Sequence, residues 1–328
     1  MIFPGTDPQA IADAARCIQA GGLVGFPTET VYGLGADASS DAAVAGIFAA
    51  KGRPSDHPLI VHVAEAAQVH DYASSVPPFA ASLIKAFWPG PLTVILPRKP
   101  GVAAAAAGGQ ASVGLRCPAH PVALAFLKAC NTGVAGPSAN RFGRVSPTTA
   151  QHVAGEFGDA LLVLDGGPCT VGIESSIVDC TRGRPVLLRP GVLTRDQLEA
   201  ACGEPVLTKD EVLAEEGDAP RASGTLEAHY APNAKVRLMD AAAIQAALDL
   251  LGADAAHLAV YARSIVRIKS SKVLYRRMPD DALATAQQLF AVLRDFDNQG
   301  IKLIWIEHPP ETTEWDGVRD RLGRAAAS

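Results

Sequence analysis

Short apolar segments alternate with segments of helical periodicity through most of this sequence, and this alternation limits the chain to an α/β fold. The apolar segments predict strands at Leu23–Phe26, Pro58–Val63, Leu92–Leu96 and Ser112–Arg116. The periodic segments predict helices at Pro8–Ala20, Asp41–Lys51, Phe79–Phe87, Pro121–Ala129 and Thr148–Phe157. A turn joins the later apolar segments Ser176–Cys180 and Pro185–Arg189, which predicts a hairpin. Because hairpin strands are antiparallel, we expect a twisted, mixed sheet rather than a purely parallel one.

An acidic segment at residues 208–220 lacks apolar periodicity and divides the sequence into two parts. After it, strand-like and helical segments alternate again, which predicts a second, smaller, doubly wound α/β domain. We therefore predict a first domain at residues 1–205, a linker at residues 206–233 that carries the sequence HYAP, and a small Rossmann-like domain at residues 234–328. A chain of 328 residues is long enough for two such cores.

The composition argues against several classes of protein. Hydrophobic residues make up 48% of the chain and charged residues 19%, which is typical of a globular protein and excludes overall disorder. The net charge of -5 argues against a broad nucleic-acid-binding surface, although it is compatible with a local cationic pocket. The first ten residues have no cationic segment ahead of an apolar one, so we expect no secretory signal. The sequence has no apolar run of the roughly 20 residues that a membrane helix needs and no CxxC pair among the scattered cysteines. We therefore expect a cytoplasmic protein without a membrane segment.

Two cations lie close together where the second predicted helix ends. Lys51 and Arg53 flank Gly52, and Pro54 follows them. Two cations on a constrained turn suit a polyphosphate, because each can neutralise phosphate oxygens. The same positions also suit a solvated helix C-terminus, where cations are favourable, so the residues alone leave both interpretations open. His62, between apolar residues of the next strand, is by its surroundings more typical of a buried core histidine than of a binding residue.

Further polar residues lie where other predicted strands and helices begin or end. Arg116 closes an apolar strand, and a buried arginine is costly unless an anion contacts it. The residues TET (28–30) follow a buried strand, where α/β sheets commonly bind ligands. The segments GPSAN (136–140) and SPT (146–148) can present N–H groups and hydroxyls to a phosphate, or can simply cap turns and helices.

Several familiar catalytic motifs are absent from the sequence. It contains no GxxxxGKS/T phosphate loop, no GxSxG nucleophile elbow and no HxxxH or HExxH zinc motif. Gly33 and Gly35 with Ala38 match a dinucleotide-binding pattern, but polar residues separate them from the preceding strand, so that interpretation is weak. We therefore expect any nucleotide to be held in position by polar residues and by cations that stabilise its phosphate charge.

Seven segments together resemble the YrdC-type threonylcarbamoyl-adenylate synthase family. They occur in the family's order and are FPTETVYGLG (26–35), KGRPSDHPLIVHV (51–63), FWPGPLTVIL (87–96), VGLRCPAHP (113–121), GPSAN (136–140), SPT (146–148) and LRPG (188–191). The HYAP motif (229–232) after an acidic segment, followed by a small α/β unit, is similar to the two-domain branch of that family. The resemblance thus covers nearly the whole chain.

The resemblance implies a twisted α/β sheet around a concave, positively lined cavity. It implies that Arg116 contacts the carboxylate of L-threonine, within a set formed by Thr30, His62, Arg116 and Ser175. It places ATP against Lys51, Arg53, His57, Ser112, Ser138, Asn140, Ser146 and Arg189. It also implies that Tyr230 closes over the site and touches the nucleotide, although a tyrosine at this position could instead only dock the second domain.

The enzyme that the resemblance implies is a nucleotidyltransferase that joins L-threonine, bicarbonate and ATP into threonylcarbamoyl-adenylate and releases pyrophosphate. Because nearly all participants are anionic, Lys51 and Arg53 would act as catalytic residues that offset charge repulsion. A Mg2+ ion held mainly by phosphates and water, with no protein ligand, would assist them. The family's product serves tRNA modification, so we expect it to pass to a tRNA threonylcarbamoyl-transferring complex.

Two other functions are compatible with parts of the sequence. An RNA-binding module would use a cationic cavity, but it needs the basic surface against which the net charge argues, so direct tRNA binding is doubtful. A carbamoyltransferase that uses carbamoyl phosphate contains related domains, but such enzymes are usually fused to further catalytic domains. Pyrophosphate release from ATP, bicarbonate and threonine distinguishes the three functions.

Overall fold

The structure is a computed structural model that describes residues 1–216, 222, 224, 229–264 and 266–327. The chain divides into two compact units, one of Met1–Phe142 with Ser146–Thr225 and one of Gly143–Val145 with Leu226–Ser328. Each unit has its own sheet and its own apolar core. Within the described ranges, no helix combines the length and the apolar character that crossing a membrane requires.

The helices of the first unit begin and end at residues whose types favour those positions. The side chain of Asp7 accepts a hydrogen bond from the backbone N–H of Gln9 and caps the first helix, and Ser40 caps the second in a similar way. Gly52 ends the second helix with a φ of +63°, which glycine adopts without strain. The helices are α1 (Pro8–Gln19), α2 (Asp41–Lys51), α3 (Val69–Tyr72), α4 (Pro78–Phe87), α5 (Pro121–Cys130), α6 (Ala150–Phe157), α7 (Arg195–Cys202) and α8 (Lys209–Glu216).

An extended sheet runs through the first unit. Its strands are β1 (Ile2–Pro4), β2 (Val24–Phe26), β3 (Gly33–Asp37), β4 (Ile60–His62), β5 (Leu92–Pro97), β6 (Ser112–Arg116), β7 (Val134–Ala135), β8 (Leu162–Asp165), β9 (Ser176–Asp179), β10 (Val186–Arg189) and β11 (Leu207–Thr208). They pair in the order β1-β8-β2-β3-β7-β4-β6-β5-β9-β10-β11. Because β4 and β6 are parallel whereas β5 and β6 are antiparallel, the predicted mixed sheet is confirmed. The predicted hairpin is confirmed as well, since β9 and β10 pair antiparallel.

One strand of the first unit lies where the sequence offered a weak nucleotide-binding pattern. The glycines of that pattern belong to β3, which pairs with β2 and β7. A Cβ atom on Gly35 would lie 2.8 Å from a methyl group of Val134 and 3.1 Å from the ring of Phe26. Close packing of the sheet therefore requires a glycine at this position. This packing explains the glycine, so the dinucleotide-binding interpretation of the pattern stays weak.

The prediction that residues 208–220 form a linker without secondary structure is wrong for its first part. Leu207–Thr208 forms β11, which pairs with β10, and α8 follows. Val212 of this helix is buried among apolar side chains of β5, β9 and β10. Periodicity did not reveal the helix because its sequence is mostly charged and carries few apolar residues. The rest of the predicted linker lies largely outside the described residues.

The second unit contains a smaller, parallel sheet, which confirms the predicted second α/β domain. Its strands β12 (Lys235–Met239), β13 (Leu258–Ala262), β14 (Leu274–Arg277) and β15 (Leu303–Glu307) pair in the order β12-β15-β13-β14. Its helices are α9 (Ala241–Leu251), α10 (Ala282–Asn298) and α11 (Asp316–Ala326). Strand β14 was not predicted, because it lies at the sheet edge and ends in two exposed arginines, so its apolar signal is short.

Candidate active site

Two neighbouring strands of the first unit place His62 and Arg116 beside each other. His62 is the last residue of β4 and Arg116 is the last residue of β6, and parallel pairing aligns them in register. Both side chains are buried, with 3% and 4% of their surfaces exposed. The sheet thereby joins two residues that the sequence placed in separate motifs, at the end of strands where ligand sites of α/β proteins commonly lie.

The guanidinium of Arg116 contacts three groups. Its Nε donates to the carbonyl oxygen of Gly90 at 3.2 Å, and its Nη1 donates to the hydroxyl of Thr30 at 2.7 Å. Its Nη2 lies 2.7 Å from Oε1 of Glu29. Glu29 is also buried, and its Oε2 accepts a hydrogen bond from the backbone N–H of Ala119 at 3.1 Å. The anion that a buried arginine requires is therefore supplied by Glu29, the central residue of the TET segment, which the sequence had not paired with Arg116.

The turn that follows β2 is held by the hydroxyl of Thr28. This hydroxyl donates to the carbonyl oxygen of Val31 at 2.6 Å and accepts hydrogen bonds from the N–H groups of Thr30 and Val31, each at 3.2 Å. It also lies 2.9 Å from the Thr30 hydroxyl. The alternating threonines of the TET sequence thus fix both Thr30 and the intervening Glu29 against Arg116.

His62 is an uncharged hydrogen-bonding group in this site. Burial, assisted by the positive charge of Arg116, lowers the pKa of His62 to about 3. Its ring packs edge-on against Phe26 with the ring centroids 5.5 Å apart. Its Nδ1 has no hydrogen-bond partner within the part of the chain that the structure describes. A neutral imidazole here can bind a hydroxyl without adding charge beside Arg116.

A second polar cluster surrounds Ser175, immediately before β9. The hydroxyl of Ser175 lies 2.8 Å from that of Thr93, and Nη2 of Arg189 donates to it at 3.2 Å. Nε and Nη2 of Arg189 also donate to the carbonyl oxygen of Ser175, at 3.1 and 3.0 Å. Thr93 and Arg189 are both buried. Arg189, predicted for ATP, therefore directly contacts Ser175, predicted for threonine.

Lys51 is buried at the end of α2 and points its ammonium group at the segment GPSAN. Its Nζ donates to the carbonyl oxygen of Ser138 at 2.5 Å and to that of Asn140. Burial and the positive charge of Arg53 hold the pKa of Lys51 well below its ordinary value, while the negative charges of Glu156 and Glu174 oppose that effect. The structure thus brings together three predicted ATP-binding residues through backbone carbonyl groups.

Arg53 and His57 share an aromatic neighbour, Phe142. The guanidinium of Arg53 lies 5.7 Å from the centre of the Phe142 ring, and the His57 ring meets the same ring edge-on with the centroids 5.6 Å apart. Nη2 of Arg53 donates to the carbonyl oxygen of Pro58 at 3.0 Å, and the N–H of Phe142 donates to the carbonyl oxygen of Lys51 at 2.9 Å. Phe142 therefore links the Lys51 segment with the chain that follows GPSAN.

Ser146 and Ser112, also predicted for ATP, lie in different surroundings. Ser146 is buried and its hydroxyl donates to Oε1 of the buried Glu174, the residue before Ser175. Ser112 begins β6, at the opposite end of the strand from Arg116. It borders a small, mainly apolar pocket of about 20 Å³ that Thr93 also lines.

Tyr230 belongs to the second unit, unlike the other predicted site residues. It is buried with a φ of +61°. Its ring lies 4.1 Å from that of His229 and 5.5 Å from that of Phe290, and the Arg321 guanidinium lies 5.3 Å from its centre. Its predicted contact with the nucleotide stays a prediction.

The structure therefore groups most predicted residues of the first unit into small clusters. They are Thr30 with His62 and Arg116, Ser175 with Arg189, and Lys51 with Arg53, Ser138 and Asn140. Thr93 is a polar residue of these clusters that the sequence did not single out, although it lies within the motif segment FWPGPLTVIL. Glu29 and Glu174 lie in segments that the sequence did single out, but neither was given a role. The requirement of Arg116 for an anion was a further signal, which could have paired Glu29 with it.

Two protein-family models match the chain over nearly its whole length. The model of the Sua5, YciO and YrdC proteins, described as telomere recombination, matches residues 16–191. The model of the C-terminal domain of threonylcarbamoyl-AMP synthase matches residues 193–327.

Individual relatives match over the full length as well. The threonylcarbamoyl-AMP synthase of Bacillus subtilis is 38% identical, over 98% of this chain and 93% of the relative. That of Pyrococcus abyssi is also 38% identical, over 95% of this chain and 93% of the relative. The solved structure of Pyrococcus abyssi Sua5 complexed with L-threonine matches with a TM-score of 0.89 at 37% identity, over 98% of this chain and 95% of that one. As the sequence motifs predicted, this chain belongs to the two-domain Sua5 family of threonylcarbamoyl-AMP synthases.

Proposed function

We propose that this protein is a nucleotidyltransferase that joins L-threonine, bicarbonate and ATP into threonylcarbamoyl-AMP and releases pyrophosphate and water. One observation carries the proposal: a single unit of this family member contains two kinds of site. One is a buried arginine beside hydroxyl and imidazole groups, centred on Arg116. The other is a group of cations, Lys51 and Arg53, beside the GPSAN segment.

The Arg116 cluster suits an amino acid that carries a hydroxyl group. The guanidinium offers charge-assisted hydrogen bonds to a carboxylate. Thr30 and the neutral His62 offer donors and acceptors to a side-chain hydroxyl without adding charge. A site that binds a hydroxyl in this way disfavours valine, because valine would leave these buried groups without a partner. Selectivity for threonine over valine follows from that reasoning.

The cations offset the charge repulsion of the reaction. Bicarbonate supplies carbon dioxide and hydroxide, and the neutral amine of threonine attacks the carbon of the carbon dioxide. An N–C bond forms as one C–O π bond opens, and the proton that the nitrogen loses joins the hydroxide and leaves as water, giving a carbamate. A carbamate oxygen then attacks the α-phosphorus of ATP, and the bond to the bridging oxygen of the leaving pyrophosphate breaks. Lys51, Arg53 and Arg189 would stabilise the charge that develops on the phosphates. A bound triphosphate would also raise the pKa of Lys51 from its lowered value, because a nearby anion favours the charged form.

Magnesium is proposed to enter with ATP and to neutralise part of the phosphate charge. The cations and hydroxyls of this unit suit the phosphates of such a complex, and phosphate and water are the usual ligands of this ion. Within the described residues, no group of three histidine, cysteine, aspartate or glutamate side chains lies together as a metal site.

A cytoplasmic location and a role in tRNA modification complete the proposal. All six cysteines are free and four of them are buried, which suits a reducing compartment. Threonylcarbamoyl-AMP is a reactive mixed anhydride, so we propose that it passes to a tRNA threonylcarbamoyl-transferring complex rather than accumulating.

Pyrophosphate release tests the function directly. The protein with ATP, Mg2+ and bicarbonate should release pyrophosphate when L-threonine is added, but not with L-valine or with carbamoyl phosphate. Arg116→Ala should abolish the stimulation by threonine, whereas Arg16→Ala should retain it, because the Arg16 side chain is 63% exposed and far more tolerant of change. Release that does not depend on threonine would overturn the proposed reaction.

A further inference from the structure

Two buried atoms in the Arg116 cluster face each other without forming a hydrogen bond. Nη2 of Arg116 and Oε1 of Glu29 are 2.7 Å apart, and their side chains are 4% and 8% exposed. Across the described ranges, neither atom has a hydrogen-bond partner. The contact is therefore an ion pair whose N–H bonds do not point at the carboxylate oxygen. Buried polar atoms of this kind are rare in folded proteins, and each retains the capacity to bind a ligand.

An amino acid zwitterion matches these two atoms. Its carboxylate and its ammonium group are attached to the same carbon, so they can reach a donor and an acceptor that lie side by side. The carboxylate would accept hydrogen bonds from Arg116, and the ammonium would donate to Oε1 of Glu29. The protein pair and the zwitterion each have no net charge, so binding would bury no uncompensated charge.

We propose that Glu29 binds the ammonium group of the substrate, so that Arg116 and Glu29 together select an α-amino acid. The inference rests on the proposed function and deepens it by naming a specificity-determining residue. Without Glu29, a substrate held by Arg116 would place its ammonium group in a buried site beside a second positive charge. The neutral His62 does not provide the missing negative charge.

The backbone around Glu29 prepares its carboxylate for this role. Oε2 is held by the N–H of Ala119, and the carbonyl oxygen of Glu29 accepts a hydrogen bond from the N–H of Val171 at 2.7 Å. The Thr28 hydroxyl fixes the turn on the other side. Little ordering of Glu29 is therefore needed when the ligand binds, which favours affinity.

A purely positioning role for Glu29, in which it only orients Arg116, makes a different prediction. The compound 3-hydroxybutyrate keeps the carboxylate and the hydroxyl of threonine but lacks the ammonium group. If Glu29 only orients Arg116, its loss weakens both ligands equally. If Glu29 binds the ammonium, its loss weakens L-threonine alone.

Isothermal titration calorimetry of the full chain with L-threonine and with 3-hydroxybutyrate tests the inference. For Glu29→Gln we expect the dissociation constant of L-threonine to rise about 10- to 100-fold, as for loss of a hydrogen bond to a charged group. The dissociation constant of 3-hydroxybutyrate should not rise, because this ligand has no ammonium group for Glu29 to bind and because loss of the Glu29 charge favours an anion beside Arg116. Glu29→Asp, which keeps the charge, should retain a preference for L-threonine. Glu204→Gln is the matched control, because Glu204 is exposed.

Each outcome decides between the two roles. Equal weakening of both ligands, or no weakening of L-threonine, overturns the inference. If Glu29→Gln does not fold, as judged by circular dichroism, the unaltered protein decides: equal affinity for the two ligands overturns the inference, and a preference for L-threonine of at least about tenfold supports it. Failure of the unaltered protein to bind L-threonine at all would instead count against the proposed function.

Discussion

Replacing Arg116 by methionine should destabilise the first unit by about 3–5 kcal/mol, the usual cost of removing one partner of a buried ion pair. The change leaves the Glu29 carboxylate, whose side chain is 8% exposed, without its counter-charge. It also removes the donors to the Thr30 hydroxyl and the Gly90 carbonyl oxygen. Methionine keeps most of the apolar volume, so the loss reports the polar contacts rather than a cavity.

The Glu29→Gln change should partly rescue that variant. With both charges gone, no uncompensated ion stays buried, so the double variant should be more stable than Arg116→Met alone by roughly 1–3 kcal/mol. The glutamine can still accept the hydrogen bond from the Ala119 N–H that Glu29 accepts. Glu29→Gln should therefore raise the stability of the Arg116→Met variant, whereas in the unaltered protein it removes the counter-charge of Arg116.

Urea unfolding followed by Trp88 fluorescence measures this effect within the first unit. The chain has three tryptophans, and replacing Trp305 and Trp315 by phenylalanine leaves Trp88 as the reporter. Trp88 is buried and its indole N–H donates to the carbonyl oxygen of Leu92 at 2.8 Å, so unfolding exposes it. Arg16→Met is the control, with an expected change within about 0.5 kcal/mol for a surface residue. Additive effects of the two changes, or full stability of Arg116→Met, would refute the reasoning.

Other predictions concern the remaining site residues. Lys51→Ala should lower pyrophosphate release at least ~100-fold and should also lower the melting temperature, because the carbonyl oxygens of Ser138 and Asn140 lose their donor. Arg53→Ala should lower release by at least ~100-fold as well, and near-normal release from a folded variant would remove its catalytic role. The pKa of His62 falls from 6.5 to about 3 on folding, so the stability it contributes is complete above pH 6.5 and declines as the pH falls toward 3. Urea unfolding between pH 7 and 5 should show that the free energy of unfolding falls by up to about 1.4 kcal/mol per pH unit. His62→Asn should reduce this fall, and an identical pH dependence of the two proteins would contradict the prediction.

The main elements that carry the site could be predicted from the sequence because their signals are local. The helix ending at Lys51 has an N-capping serine and a terminal glycine. The strands ending at His62 and Arg116 are apolar runs beside proline or glycine. The short strands β3, β7 and β8 were missed. The sequence of β3, GLGAD, contains glycines and an aspartate, which are uncommon in strands, and β7 has only two residues. The apolar run LVLD of β8 resembles the runs that were predicted as strands.

The contacts within the site could not be predicted, because they depend on the sheet order. Strands β4 and β6 are neighbours although β5 lies between them in sequence, and only this order places His62 beside Arg116. Likewise, β5 is a neighbour of β9, which brings Thr93 against Ser175. Sequence spacing contains no information about such register.

The sequence pointed to Lys51 and Arg53 correctly as unusual, but it could not tell what each contacts. Of the two expected alternatives, a phosphate-binding pair and a solvated helix end, the second requires exposed cations. Instead both side chains are buried, and the ammonium of Lys51 donates to backbone carbonyl groups. The solvated interpretation is therefore wrong, while the role toward a phosphate stays a prediction.

The two parts of the site differ in how they balance charge, and this difference fits their proposed ligands. Arg116 is paired with Glu29 before any ligand binds, so this cluster suits a substrate without net charge. Burial, and after it the charge of Arg53, lower the pKa of Lys51 against the opposing charges of Glu156 and Glu174, so an anion that binds beside Lys51 would favour its charged form. A zwitterion gains little at the second cluster, and a triphosphate would meet the Glu29 carboxylate at the first. Such a charge distribution would direct the proposed amino acid to the first cluster and the proposed nucleotide to the second.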